Sequence, residues 1–353
     1  MAQRRSVGKI NPKTMADTIW RFTGAKSRNV IMGPAPGVDV SVLDVSSGRV
    51  MIANCDPISL IPSLGPTDSA RMSVFEVASD VATSGQPPRY GIFDLNLPPK
   101  MSDRVLEEYW KSIHSTCQEI GVSILGGHTG RFVGCDYSIV GAATMWTICS
   151  ETEYLTSDMA RDGDDLILTK TAAYGATAVL SKAFPNTVRR FLGSSLFRKA
   201  SNYLLKMNTV DESLAAVRVG IHDEGVTAIH NVTEGGVIAA ILELARAAKL
   251  GGTVELVNSP ISEETLQISD LFHIDPLRTL GEGSLIISSR PKKTSKVLAR
   301  LASNHVSATV VGRLSSKNRI VQGVSNREVK VLRYPTRDPY WQAYWTGIRK
   351  GWS

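Results

Sequence analysis

The stretch Val30 to Asp56, VIMGPAPGVDVSVLDVSSGRVMIANCD, restricts the fold more than any other, because it reads as two strands folded back on each other. Val38, Val40, Val42 and Val45 are β-branched residues separated by small or acidic ones. Ser46-Ser47-Gly48 then turns the chain, and Val50, Met51, Ile52 and Ala53 return. Asp39 follows the rigid GPAPG segment and Asp56 follows the returning strand. A hairpin brings its outer ends together, so the two carboxylates meet at one rim, where like charges repel unless a cation joins them. A magnesium ion with its phosphates is one expectation. A turn aspartate before Pro57 and an exposed strand-end charge at Asp39 are the other.

A chain of 353 residues with 42% apolar content holds enough material for two cores of ordinary size. It contains no run of about eighteen apolar residues, and the opening MAQRRSVGKINPK lacks the apolar centre of a signal peptide, so a cytoplasmic protein is expected. Cys55, Cys117, Cys135 and Cys149 form no CxxC pair and no zinc-like spacing, which favours free thiols. The formal charge of +7 is local: residues 291–353 hold thirteen Lys or Arg against two acids, leaving 27 basic against 31 acidic side chains before them. A basic C-terminal region suits nucleic acid, an acidic partner or a phosphorylated ligand, and equally a solvated face; no nucleic-acid motif accompanies it.

Asn11-Pro12 is a helix start, with Met15, Ile19 and Phe22 at helical spacing before Gly24. Ahead of it, Gly8 and Lys9 lie in a basic arm able to fold over a phosphate or to stay disordered. The loop after Asp56 leads into a helix reaching about Thr83, with Met72, Val77 and Val81 in its buried stripe. Asp80 sits near that helix's C-terminal end, where a carboxylate opposes the dipole at a cost of about 0.3 to 1 kcal/mol that a cation relieves. Tyr90 to Leu97 alternates as a strand. Ser102 caps a helix that Gly121 stops, with Val105, Tyr109, Ile113, Cys117 and Ile120 inward. In Val122 to Gly130, VSILGGHTG, an apolar strand meets Gly126 and Gly127, which let a backbone approach a phosphate, followed by His128 and Thr129; a tight turn is the alternative. Cys135 to Ile148 closes this half as a strand. The composition turns polar near Ser150, placing a domain boundary between about 150 and 162. In the second half a strand through Ile229 passes into Asn231-Val232-Thr233-Glu234-Gly235-Gly236 and then a helix, whose free NH groups at Thr233 and the glycines suit an anion. The chain ends in an aromatic, basic tail, residues 334–353.

Each motif is weak alone, but their order is specific. GVDVSVLD, ANCDP, SDVATSGQPP, ILGGHT, RDGDDLILTK, AIHNVTEGG and IDPLRTLGEGSLIIS resemble the PurM-like (AIR synthase-related) superfamily, with the nearest likeness to its HypE-related branch, over about residues 6–330. The resemblance implies an α/β (α+β) two-domain fold. Residues 1–150 form an ATP-binding domain that builds a shared β-barrel in a homodimer, and 160–333 a C-terminal α/β sandwich. It implies ATP between these parts with Mg2+ held by aspartates. By motif Asp39, Asp56 and Asp80 are the metal-binding and catalytic acids, and His128 stands where many members carry an acid. Gly8, Lys9, Gly126, Gly127 and Thr129 would meet the nucleotide, and Asn231, Thr233, Glu234, Gly235 and Gly236 the substrate. Val38 replaces the first acid of the family's GDD signature, and Gly130 follows GGHT where a glutamate is frequent.

Three functional classes follow. The first is an ATP-dependent enzyme that transfers a phosphoryl group to activate an oxygen of a small acyl, amide or phosphate substrate. The second is a nucleotide-binding maturation factor or partner protein without turnover, and the third a nucleic-acid-binding dimer using the basic C-terminal region. HypE carries a terminal cysteine that accepts a carbamoyl group. No cysteine follows Cys149 here and the sequence closes Gly351-Trp352-Ser353, so HypE's thiocarbamate chemistry in cis is not expected, and the substrate is a free small molecule or another protein's side chain.

Overall fold

The structure is a computed structural model, and it describes residues 7–10, 12–325 and 328–353. The expected start at Asn11 falls outside them. In chain order the first half comprises α1 (Pro12–Thr18), β1 (Val30–Met32), β2 (Ser41–Asp44), β3 (Arg49–Leu60), α2 (Gly65–Ala82), β4 (Tyr90–Leu97), α3 (Asp103–Ile120), β5 (Ser123–Arg131) and β6 (Ser138–Ser150). Its strands form one sheet in the order β1-β2-β3-β6-β4-β5, antiparallel except for β4 with β5.

The hairpin forms as its residues require. Ser41 pairs with Ala53 and Asp44 with Val50, and Ser46, Ser47 and Gly48 all take positive φ in the turn. The returning strand is longer than expected. Pro57 to Leu60 continue β3 against β6, so Asp56 lies inside the strand rather than after it. β2 pairs with β3 only as far as Ala53, so at Pro57 the strand has β6 on one side and an open edge on the other, a position that tolerates proline. Val50, Ile52, Ile58 and Leu60 alternate inward and are buried. Ser102 accepts a bond from Val105 N at the start of α3, and Gly121 closes it with φ 77°.

The glycines of ILGGHT make no turn. Gly126 and Gly127 lie within β5, which runs parallel to β4 at the sheet edge. A Cβ on Gly127 would fall 1.8 Å from the Phe93 carbonyl oxygen, so the residue permits strand contact rather than phosphate approach.

The second half contains β7 (Asp165–Thr169), α4 (Tyr174–Ala183), α5 (Pro185–Ser201), α6 (Val210–Val217), β8 (Val226–Asn231), α7 (Gly236–Ala247), β9 (Gly251–Glu255), α8 (Glu263–Phe272), β10 (Leu285–Ser289), α9 (Pro291–Ser303), β11 (Ala308–Ser315), β12 (Val321–Ser325), β13 (Glu328–Val331) and α10 (Pro339–Arg349). Its sheet runs β13-β12-β9-β11-β7-β10-β8. The inner strands β7 and β10 and the edge strand β8 are buried along their whole length, on both faces.

Two expectations change here. Residues 334–353 are not a tail: α10 docks into the core, with Tyr340 and Ala343 buried and Tyr344 and Trp352 packed around Phe184. The terminal turn is tied back, since Thr187 N donates to the Ser353 carbonyl. The aromatics of this segment are used in packing. Along α1, Ile19 and Phe22 just beyond the helix are 52% and 71% exposed, and α1 itself buries no residue.

The two halves meet along α2. It covers the inner face of the first sheet and touches the second half through Thr209 Oγ1, which donates to Ser79 Oγ, and through the Lys182–Asp68 ion pair at 2.6 Å. Residues near its C-terminal end therefore face the junction.

Candidate active site

Three carboxylates from separate segments reach this junction. Asp80 projects from the last turn of α2, Asp56 from β3, and Asp39 from the loop before β2. Gly37 seats that loop, because a Cβ there would fall 2.2 Å from the Glu243 carbonyl oxygen on α7. One amide nitrogen, Asn54 Nδ2, donates to Asp56 Oδ2 at 2.9 Å and to Asp80 Oδ2 at 2.6 Å. Asn231 Nδ2, at the end of β8, donates to Asp80 Oδ1, and its backbone NH reaches Asp39 Oδ2 at 3.4 Å. The result is a continuous string, Asp56–Asn54–Asp80–Asn231–Asp39.

Its electrostatics are unbalanced. Burial and then the charge of Asp56 push the Asp80 carboxyl well above its ordinary range. The same two causes push Glu76, one turn earlier on α2, up to about 8. Glu282, entering from the loop before β10, is also raised well above the usual range by burial, then by Glu76 and Asp56. On the other side of Asn231 the charges are matched. His230 lies 2.8 Å from Asp39 and 3.2 Å from Glu243. Burial alone would lower its pKa, but Asp39 and Glu243 hold it protonated to about 9. Glu243 also accepts from Lys9 Nζ at 3.2 Å and from the Tyr334 hydroxyl at 2.8 Å. Burial opposes the charge on Glu243, yet His230 and Lys9 bring its carboxyl down to about 2.

Does this donor set fit a divalent cation? Among the described residues no three His, Cys, Asp or Glu side chains are gathered closely enough to hold a metal in this conformation. The chemistry nevertheless suits a hard cation. Asp56 and Asp80 are adjacent oxygen donors, and the buried Asn231 Oδ1 beside them has no hydrogen-bond partner.

Other expected site residues lie elsewhere. Asp56, Ala143, Phe93 and Gly127 form one row across the sheet on its helix-covered face, whereas His128 pairs with Asp94 on the opposite face. β5 is three strands from β3, roughly 14 Å at ordinary strand spacing. His128, Gly126, Gly127 and Thr129 are exposed there, and the chain's own fold does not bring them to the acids. The turn after Asn231 is near the acids, but the NH groups of its two glycines are taken. Gly235 N donates to Asp338 Oδ2 at 2.7 Å and Gly236 N to the Thr233 carbonyl, so an internal carboxylate fills the expected anion position. Glu234 accepts from Lys9 N at 2.7 Å, and a Cβ on Gly8 would strike both Glu234 and Trp341. The basic arm is thus folded onto the site with its charge already matched.

Sequence reasoning missed Asn54, Glu76, His230, Glu243, Glu282 and Asp338. Glu76 alone carried a signal, since it lies one helical turn before Asp80.

Comparisons with known proteins agree with this architecture. Residues 37–148 match the family model for the AIR synthase related protein N-terminal domain, and 161–324 that for its C-terminal domain. A putative hydrogenase expression/formation protein of Methanocaldococcus jannaschii is 22% identical over 339 residues, covering 94% of this chain and 96% of that protein. A selenide, water dikinase of Pseudomonas straminea is 25% identical over 256 residues, covering 72% of this chain and 67% of that protein. The solved structure of hydrogenase maturation protein HypE in complex with ATP superposes with a TM-score of 0.64 at 19% identity, covering 95% of this chain and 97% of that one.

Proposed function

Because this chain belongs to the AIR synthase related family, we propose that it is an ATP-dependent enzyme that transfers a phosphoryl group to an oxygen of a small acyl, amide or phosphate substrate. The observation that carries this reading is the uncompensated acid string at the domain junction, ended by an orphaned amide oxygen. Acids from separate segments are held together at an electrostatic cost that a bound cation would offset. Asp56 and Asp80, with Asn231 Oδ1, would hold Mg2+, and Asp39 would join them on leaving His230. The ion would supply charge neutralisation between the phosphate oxygens. The chain's own residues do the rest. Asn54 and Asn231 fix the carboxylate rotamers, and His230 holds Asp39 in reach. Lys9, now on Glu243, is placed to turn to a phosphate as the arm closes. A carbonyl or phosphate oxygen of the substrate would enter beside Thr233 and Glu234.

The open face of the first sheet supports a homodimer. Tyr90, Ile92, Leu125, Ile139 and Ile148 stand exposed there, with Tyr90 packed against the half-buried Trp146. In such a dimer His128 and Thr129 would serve the partner's nucleotide rather than their own. No described helix is long and apolar enough to cross a membrane; we place the protein in the cytoplasm.

The C-terminal residues 339–353 are docked rather than free to deliver a group to the acids. We take the acceptor to be a separate molecule. A partner protein that binds nucleotide without turnover is the second reading, favoured by the absence of a three-ligand group among the described residues. Single-turnover ADP release with Mg-ATP distinguishes them. Turnover lost in Asp80→Asn supports the enzyme, and binding without any ADP supports the partner protein.

A further inference from the structure

Behind Asp39, on the side away from Asp56 and Asp80, lies a cavity of about 650 Å³, large enough for a ligand of nucleotide size. Of the acid string only Asp39 lines it; Asn54, Asp56, Asp80 and Asn231 do not. Its walls are apolar: Trp20 and Met15 from the N-terminal segment face Leu242 and Leu250 of the α7 region and Val321 and Leu332 of the second sheet. At its mouth stand Arg246, Lys249 and Arg319, all exposed, and none makes an ion pair with any described residue. The acids that line the cavity, Asp39 and Glu243, are already matched by His230 and Lys9. The free charge at this cavity is therefore positive, although the nearby acid string is negative.

The N-terminal helix supplies an independent observation. α1 buries no residue of its own, and Pro12, Met15 and the adjoining Trp20 line the cavity. A helix with so little packing gains its partner only when the space beneath it is filled.

We propose that this cavity is a second binding site, separate from the acid string, for a small organic anion with an apolar body. The aromatic or aliphatic part lies between Trp20, Leu242 and Leu332. Its carboxylate, sulfonate or phosphate meets Arg246, Lys249 and Arg319, and α1 closes over it. Cations at the mouth and aliphatic walls within select such a ligand over a neutral or purely inorganic one.

The test uses 1-anilinonaphthalene-8-sulfonate on the full chain without nucleotide, so that its outcome is independent of ATP turnover. The expected result is one saturable site per chain, at least tenfold weaker in the surface variant Arg246→Glu/Lys249→Glu. Uncharged N-phenyl-1-naphthylamine should bind both proteins alike. Bound probe should also slow tryptic cleavage at Lys13 and Arg21, which dye adsorbed on the open sheet face would leave unchanged. Equal sulfonate affinity in the variant, or no protection of α1, overturns the assignment. Displacement of the probe by saturating Mg-ATP would assign the cavity to the nucleotide and overturn its separateness.

Discussion

Replacing Asp56 by Asn should make the ligand-free protein more stable and the liganded protein less so. The Asn54 amide nitrogen bonds both carboxylates, so the Asp56 and Asp80 oxygens are no further apart than bonds of 2.9 and 2.6 Å laid end to end. Two unit charges at roughly 5 Å, with an effective dielectric near 20, repel by about 3 kcal/mol. The protein evades part of this by holding a proton on Asp80, so relief on removing one charge should amount to about 1 to 3 kcal/mol. An asparagine oxygen can still accept the Asn54 bond, which keeps the local geometry. With Mg-ATP the order reverses: a ligand at one hundred times its Kd adds about 2.7 kcal/mol to the wild type, and the variant should lack most of it. Chemical denaturation at pH 7.5, with and without Mg-ATP, measures both. A variant less stable than wild type without ligand, yet equally stabilised by Mg-ATP, would refute the view that these acids are held apart from neutrality for a cation.

Other consequences are equally direct. Without ligand, stability should fall as pH rises from about 6.5 to 9. Glu76 has a folded value near 8 against an ordinary 4.5, so its contribution is full below 4.5 and lost as pH rises through 8; His230, near 9 against 6.5, acts in the same direction over a higher window. Urea midpoints that rise over this range would contradict the two assignments. Lys170→Met should destabilise by about 3 to 5 kcal/mol, because Lys170 Nζ is an ion partner of the buried Glu212 and donates at 2.8 Å to the carbonyls of Lys206 and Gly283; adding Glu212→Leu should recover much of the loss in denaturant titrations. Ile92→Glu on the open sheet face should convert a dimer to a monomer by light scattering, and a wild type that is itself monomeric at micromolar concentration would remove the dimer.

What the sequence made legible was local. The hairpin from Ser41 to Ala53 follows from β-branched alternation around a turn that needs positive φ, but the expected meeting of Asp39 and Asp56 is not direct, since Asn54, Asp80 and Asn231 stand between them. Asp80 stood out because it opposes a helix dipole. What stayed hidden depends on residues far apart in the chain. Asp338 fills the start of α7 from 103 positions away, so the Gly235 NH read as free from the turn is not free. The paired glycines of β5 announce flexibility in sequence, but only the neighbouring Phe93 carbonyl shows that Gly127 is needed for strand contact. His230 and Glu243 are thirteen residues apart, yet a strand and a helix must fold back on each other before they meet.

Those hidden partners explain why the acids near Asn231 behave so differently on its two sides. Towards His230 each carboxylate has a cation: Asp39 has the imidazolium, and Glu243 shares that imidazolium with Lys9 and accepts from Tyr334. Towards Asn54 there are only amides, which donate hydrogen bonds but carry no charge, and Glu76, Asp80 and Glu282 respond by holding protons. An arriving divalent cation gains little by displacing a buried imidazolium and much by displacing protons from acids that already repel one another. It should therefore settle between Asp56 and Asp80 first, and Asp39 should follow only when His230 releases it. Removing His230 by His230→Gln should consequently shift Asp39 towards the cation and tighten Mg2+ binding in the absence of nucleotide. If calorimetry showed weaker Mg2+ binding in that variant, Asp39 would have to reach the metal through His230 and not in spite of it.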